Sequence, residues 1–116
     1  MIEGIGVDIV SNSRIKKLYK RFGEKFLRKI FTDREINYCL SYSNPVPHLA
    51  ARFAGKEAVI KALEKPERLK LKDIEIINNQ NGAPVVLIFG VEKKKIKITL
   101  SHEKNYTVAF VIIVSD

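Results

Sequence analysis

The spacing of apolar residues changes near Lys70, and this change constrains the fold more than any other feature of the 116-residue sequence. Most of the chain before Lys70 has helical spacing, whereas the chain after it alternates as strands do. Four strand candidates follow, at residues 73–77, 85–89, 96–100 and 106–114. Asn81-Gly82 is a strong turn signal between the first two. We expect an α+β fold with helices packed on one side of a mostly antiparallel sheet.

One strand and several helices are predicted before Lys70. Residues 2–10 alternate as a strand, and the helix that follows contains Gly23, which is expected to interrupt it. A capping-box spacing predicts a short helix over 33–40, and the longest helix should extend from the prolines at 45–47 to about residue 64. No repeat or linker divides the sequence. We therefore expect residues 1–116 to form a single domain.

The composition favours an anionic partner but does not identify which kind. Twenty-one Lys and Arg against thirteen Asp and Glu give a net charge of +8, which favours a nucleotide, a nucleic acid, an acidic protein or lipid headgroups. Cys39 is the one cysteine, so a reducing, cytoplasmic location is predicted. The apolar run at 108–114 is far short of the ~20 residues of a spanning helix. The N-terminus lacks a signal-peptide pattern, and we expect no membrane partner.

Asp8 is the first candidate for chemistry. It shares one face of the first predicted strand with Gly4 and Gly6, which leave space for a hard cation and a phosphate to approach its carboxylate. The alternative is an aspartate that ends a strand or bonds the following turn.

Glu57 and Lys61 form a second candidate group. They are four residues apart and share a face of the long predicted helix, beside its apolar stripe. The small residues Ala54, Gly55 and Ala58 would let a ligand or another strand come close. The alternative is an exposed pair that stabilises the helix by about 0.2–0.5 kcal/mol.

The two histidines differ in their sequence context. His102 continues the apolar phase of Ile98 and Leu100, at the turn of the last hairpin. It is either a hydrogen-bonded structural residue or a phosphate contact. His48 precedes the long helix, and no comparable sequence pattern indicates a functional role for it. No pattern indicates a P-loop, a zinc cluster or a nucleophilic triad.

Three blocks of the sequence are informative when taken together. They are Gly4-Ile5-Gly6-Val7-Asp8-Ile9, Arg52-Phe53-Ala54-Gly55-Lys56-Glu57-Ala58 with Lys61-Ala62, and Leu100-Ser101-His102-Glu103. The three blocks resemble the holo-acyl-carrier-protein synthases, the short type within the 4'-phosphopantetheinyl transferase superfamily. Their order and spacing match the family, and Asn81-Gly82-Ala83-Pro84 resembles its Asn-Gly-x-Pro turn. The resemblance spans essentially the whole chain.

This resemblance implies an enzyme that moves the 4'-phosphopantetheine group of coenzyme A to a serine of apo-acyl carrier protein. The other product is 3',5'-ADP, and the reaction supports fatty acid biosynthesis. Asp8 and Glu57 would hold Mg²⁺ with the coenzyme diphosphate, and Lys61 would stabilise or protonate the leaving phosphate. Either Glu57 or a metal-bound water would accept the serine proton.

The resemblance also implies binding surfaces. His102, Arg52 and Lys56 are candidates for holding the coenzyme's phosphates. A basic stripe resembles the family's docking surface for acidic carrier proteins, although a solvated helix face is the alternative. The stripe consists of Arg14, Lys17 and Arg21. Family members of this length assemble as homotrimers with active sites between subunits, and the strand at 106–114 is apolar on both faces, which fits that assembly.

One segment departs from the family pattern. A Gly-Thr-Gly stretch usually follows the long helix, whereas this chain has Glu64-Lys65-Pro66-Glu67-Arg68. We expect Lys65 or Arg68 to supply phosphate contacts there.

Two other functions compete with the enzyme, namely a basic nucleic-acid-binding module without catalysis and a purely structural trimer. No recognised nucleic-acid-binding motif is present, and we expect no nucleic acid partner.

Overall fold

The computed structural model describes residues 1–65 and 68–115. Four α-helices and six strands lie in this part of the chain. They are β1 (Ile2–Ser11), α1 (Asn12–Phe22), α2 (Glu24–Ile30), α3 (Asp33–Leu40), α4 (Val46–Ala62), β2 (Ile74–Asn78), β3 (Pro84–Ile88), β4 (Val91–Glu92), β5 (Ile96–His102) and β6 (Tyr106–Val114). A single 3-10 turn, Leu71–Asp73, precedes β2. The predicted α+β class is confirmed.

The strands form two antiparallel sheets, whereas the sequence predicted one. One sheet has the order β1-β6-β5 and the other β2-β3-β4. Strand β6 pairs with β1 on one side and with β5 on the other, whereas β2 and β3 pair with each other in the second sheet. Strand β4 was not predicted, because two residues are too few to show alternation. It turns back from β3 through Phe89 and Gly90, both with positive φ.

The helix boundaries follow local signals in the sequence. The Ser11 side chain caps α1 by accepting a hydrogen bond from the Arg14 amide. Gly23, with φ of 54°, separates α1 from α2 as predicted. Thr32 and Glu35 form the predicted capping box of α3. Among the described residues, no helix is long and apolar enough to cross a membrane.

The packing of α4 against β1 depends on two glycines. A Cβ atom at Gly4 would collide with the Ala62 carbonyl oxygen, and one at Gly6 with the Ala58 carbonyl oxygen. The two backbones therefore lie close together, and α4 fills the space that these glycines were predicted to leave for a cation and a phosphate. This contact brings the end of β1, which carries Asp8, against the second half of α4.

Candidate active site

Asp8 and Lys61 meet where β1 crosses α4. The Lys61 Nζ lies 3.2 Å from Asp8 Oδ1 and donates a second hydrogen bond of 3.0 Å to the Val7 carbonyl. The Asp8 side chain is 16% exposed and that of Lys61 is 55% exposed. The carboxylate is thus held at the edge of the core with access to solvent.

Glu57 lies one helical turn before Lys61 and is half-buried. Burial raises the pKa of its carboxyl, and the negative charge of Asp8 raises the pKa further. The charges of Lys61 and Arg14 act in the opposite direction. Asp8, Glu57 and Lys61 therefore share one electrostatic environment, and the structure brings these three sequence-predicted residues together.

This group of side chains fits a hard divalent cation. Magnesium takes oxygen ligands, and proteins usually supply only one or two carboxylates while phosphates and waters complete the coordination. Asp8 and Glu57 provide two such carboxylates, and a cation between them would offset both the burial and the repulsion by Asp8 that raise the pKa of Glu57. Residues 1–65 and 68–115 contain no group of three or more His, Cys, Asp or Glu side chains suited to a metal. A substrate phosphate would supply the remaining oxygens.

Arg52 and His102 line a second region, a cavity of about 280 Å³. Arg52 is only 4% exposed, and its guanidinium lies 4.4 Å from the ring centroid of Tyr38. One guanidinium nitrogen is 3.4 Å from Asn78 Oδ1, whereas Nε has no hydrogen-bond partner among the described residues. A mostly buried cation with unused donor capacity is suited to an anionic ligand.

Lys56 does not join Arg52 and His102. Its side chain is 0% exposed, and Nζ lies 2.6 Å from Glu35 Oε1. Nζ also donates hydrogen bonds to the carbonyls of Leu71 and Ile74. Glu35 attracts the ammonium group into the core, and this placement speaks against the predicted phosphate contact. These three partners occupy the donors of the ammonium group, so Lys56 is not placed to hold a phosphate of the coenzyme.

His48 is a cavity residue that the sequence reasoning missed. It lies in the first turn of α4 rather than before the helix, and it lines the same cavity as Arg52. The spacing of four residues between His48 and Arg52 was the available signal, because residues four apart share a helix face.

The carboxylates of Asp8 and Glu57 lie on a different side of α4 from the cavity that contains Arg52. Arg52 and Glu57 are five residues apart, so the helix turns by about 140° between them. Asp8 is on β1 and His102 is on β5, the two outer strands of one sheet. The carboxylate group and the Arg52 cavity therefore remain separate within one chain.

The basic stripe begins beside the carboxylates. Arg14, Lys17 and Arg21 are all exposed on α1. Arg14 lies 6.0 Å from the ring centroid of Phe53, and its charge lowers the pKa of Glu57.

Lys65 and Arg68 are exposed, and residues 66 and 67 between them lie outside the described residues.

Comparison with known proteins gives the class to which this fold and site belong. Residues 4–111 match the model of the 4'-phosphopantetheinyl transferase superfamily. The chain belongs to this superfamily. The match does not support the alternative of a nucleic-acid-binding module.

Similar proteins narrow the class to the holo-[acyl-carrier-protein] synthases. One of that name from Thermodesulfovibrio yellowstonii is 64% identical over 113 residues, covering 97% of this chain and 99% of the relative. Another, from Aquifex aeolicus, is 47% identical, covering 94% and 96%. The solved synthase from Bacillus anthracis, in complex with CoA (3',5'-ADP), has a TM-score of 0.85 and 31% identity, covering 100% of this chain and 99% of that one. The synthase from Helicobacter pylori, in complex with coenzyme A, has a TM-score of 0.79 and 32% identity, covering 95% and 99%.

Proposed function

We propose that this chain transfers the 4'-phosphopantetheine group of coenzyme A to a serine of apo-acyl carrier protein. The observation that carries the proposal is the group of Asp8, Glu57 and Lys61 where β1 meets α4. Two carboxylates beside an ammonium group suit a reaction at a diphosphate, because they hold a cation and a phosphate together. The product, holo-acyl carrier protein, supports fatty acid biosynthesis.

In the proposed reaction the serine oxygen attacks the β-phosphorus of the coenzyme. A new phosphorus–oxygen bond forms, and the bond from that phosphorus to the bridging oxygen breaks, releasing 3',5'-ADP. Mg²⁺ held by Asp8 and Glu57 would neutralise charge on the diphosphate. Lys61, exposed beside Asp8, stabilises or protonates the leaving phosphate. The serine proton passes to Glu57 or to a water beside it.

The Arg52 cavity suits the remaining phosphate of the coenzyme. The diphosphate is assigned to the carboxylate group, so the 3'-phosphate is the anion left for Arg52 and His102. Since the two groups lie on different sides of α4, one coenzyme would contact the carboxylates of one subunit and the Arg52 cavity of its neighbour. This arrangement supports active sites between subunits.

A homotrimer is also supported by an uncovered apolar surface. On β1, Ile5, Val7 and Ile9 are 60%, 51% and 63% exposed, and Tyr106 and Phe110 of neighbouring β6 are exposed as well. Contiguous exposed apolar side chains of this kind are typical of protein interfaces. We assign this outer face to the subunit contact.

The acidic partner would dock on the basic stripe. Arg14 places one end of the stripe beside Glu57, so a carrier protein bound there would present its serine near the carboxylates. A cytoplasmic location fits the free, buried thiol of Cys39, because cytoplasmic thiols stay reduced.

Intact-mass measurement tests the reaction. The chain is incubated with apo-acyl carrier protein, coenzyme A and Mg²⁺, and the carrier should gain the mass of one phosphopantetheine. EDTA should prevent the gain, and Glu57→Gln should slow it by at least about a hundredfold. Unchanged carrier mass with the wild-type chain would overturn the proposal.

A further inference from the structure

His48 is held in the Arg52 cavity by its aromatic neighbours. Its ring is stacked on Tyr42, with 3.7 Å between centroids and 15° between planes. Tyr38 meets the His48 ring edge-on at 5.9 Å, and the Tyr38 and Tyr42 hydroxyls are 3.1 Å apart. This packing fixes the plane of the imidazole without using its nitrogens.

Both ring nitrogens of His48 are available for a ligand. Neither forms a hydrogen bond with another residue in the described part of the chain. Three groups able to carry positive charge line the cavity, namely His48, Arg52 and His102, while none of its lining residues is acidic. The cavity therefore has hydrogen-bond donors for an anion and no carboxylate that would repel one.

The surroundings of His48 disfavour its charged form. Burial lowers the pKa of His48, and the positive charges of Arg52 and His102 lower it further. The hydrogen bond between the Tyr42 and Tyr38 hydroxyls raises the pKa of Tyr42, so the stacking partner stays uncharged near neutral pH. A phosphate dianion would reverse the electrostatic effect, because it attracts a proton to the imidazole beside it.

We propose that His48 is a third phosphate-binding residue of this cavity and that it takes up a proton when the coenzyme's 3'-phosphate enters. This inference rests on the proposed function. The protonated imidazole then donates a charge-assisted hydrogen bond to the phosphate. Binding of the coenzyme is consequently stronger at the acidic end of the neutral range. As pH rises above the pKa of His48 in the complex, this contribution is lost.

Nuclear magnetic resonance can follow this proton directly. The chain contains two histidines, so each imidazole signal can be assigned by its loss in a single variant. We expect the His48 midpoint to lie below 6.5 in the free protein and to move up on saturation with 3',5'-ADP. The matched ligand 5'-ADP lacks the 3'-phosphate and should leave the midpoint unmoved.

His48→Phe is the matched variant, because phenylalanine keeps the stack on Tyr42 and removes the proton site. We expect this variant to bind 3',5'-ADP about tenfold more weakly at pH 6.5 and nearly as well as wild type at pH 8.5. Calorimetry at pH 7 should show proton uptake on binding in wild type and less in the variant.

Two outcomes separate this inference from the proposed function. If 3',5'-ADP binds and leaves the His48 midpoint unchanged, or if His48→Phe keeps the wild-type pH dependence, the role of His48 is wrong while the transferase function stands. If wild type binds neither 3',5'-ADP nor coenzyme A, both are wrong, and the carrier mass assay would also show no transfer.

Discussion

Lys56 shows how one residue can be charged and yet belong to the core. Its ammonium group has a carboxylate partner in Glu35 and two carbonyl partners that precede β2 or lie at its start. Burial lowers the pKa of Lys56 and outweighs the opposing effect of Glu35. Glu35 also accepts hydrogen bonds from the backbone amides of Thr32 and Ile76. The pair therefore connects α3, α4 and β2.

Removing one partner of this pair should be costly. Lys56→Met leaves the Glu35 carboxylate buried without its counter-charge, and we expect a loss of about 3–5 kcal/mol in the free energy of unfolding. The double variant Lys56→Met with Glu35→Gln should recover part of this loss. Urea unfolding measures the loss in the single variant and the recovery in the double variant. Lys29→Met, at an exposed lysine, is the control, and a comparable loss in that variant would contradict the account.

At the scale of elements, helix α1 is the proposed link between the carrier protein and the site. Its basic stripe is exposed along the helix and reaches the neighbourhood of Glu57 at Arg14. Charges at the rim of an interface mainly affect the association rate and its salt dependence. Lys17 and Arg21, farther along the stripe, therefore test docking more cleanly than Arg14.

We expect Lys17→Glu and Arg21→Glu each to raise the KM for the carrier protein by about tenfold with little change in kcat. The reason is repulsion between the new carboxylate and an acidic partner. Steady-state kinetics at low and moderate salt measure the effect. Lys29→Glu on α2 is the matched control, and an equal rise in KM there would indicate general attraction rather than docking on α1.

Local signals in the sequence predicted most of the elements, because caps, glycines and alternation act over a few residues. The Thr32–Glu35 capping box and the break at Gly23 are examples. The small side chains of α4 were expected to let a ligand or a strand come close, but Gly6 was expected to leave space beside Asp8 rather than to pack against Ala58.

Tertiary partners explain what the sequence did not reveal. Lys56 was expected to hold a phosphate of the coenzyme, because its partner Glu35 lies on another helix and is not apparent from the sequence around Lys56. His48 looked unimportant because Tyr42 and His102 reach it only after folding. The prediction that Asp8 and Glu57 act together came from the family resemblance. By itself, Asp8 could equally be an aspartate that ends a strand, and Glu57 could equally form an exposed ion pair on the helix.

At the scale of the whole molecule, the outer face of the β1-β6-β5 sheet is the proposed subunit contact. Its inner face packs on α4, whereas Ile5, Val7 and Ile9 are left largely in solvent. A small domain that exposes such a strand is expected to cover it with a partner. The separation of the Arg52 cavity from the carboxylates on different sides of α4 is consistent with the same assembly.

Ile9→Lys should dissociate the proposed homotrimer, because it places a charge in the centre of the apolar face. Size-exclusion chromatography with light scattering should show a trimer for wild type and a smaller species for the variant. Transfer activity should fall as the trimer dissociates. Val91→Lys, at a similarly exposed apolar residue of the other sheet, should stay trimeric. A trimeric Ile9→Lys variant would contradict this assignment of the interface.

Binding of Mn²⁺, used in place of Mg²⁺, in the presence of coenzyme A tests most directly whether Asp8 and Glu57 act as one cation site. Titration followed by electron paramagnetic resonance should show about one bound ion per wild-type chain. The affinity should fall by at least about tenfold in Asp8→Asn and in Glu57→Gln, and stay unchanged in Glu64→Gln, at an exposed glutamate after α4. Wild-type affinity in the Asp8 and Glu57 variants would contradict the account.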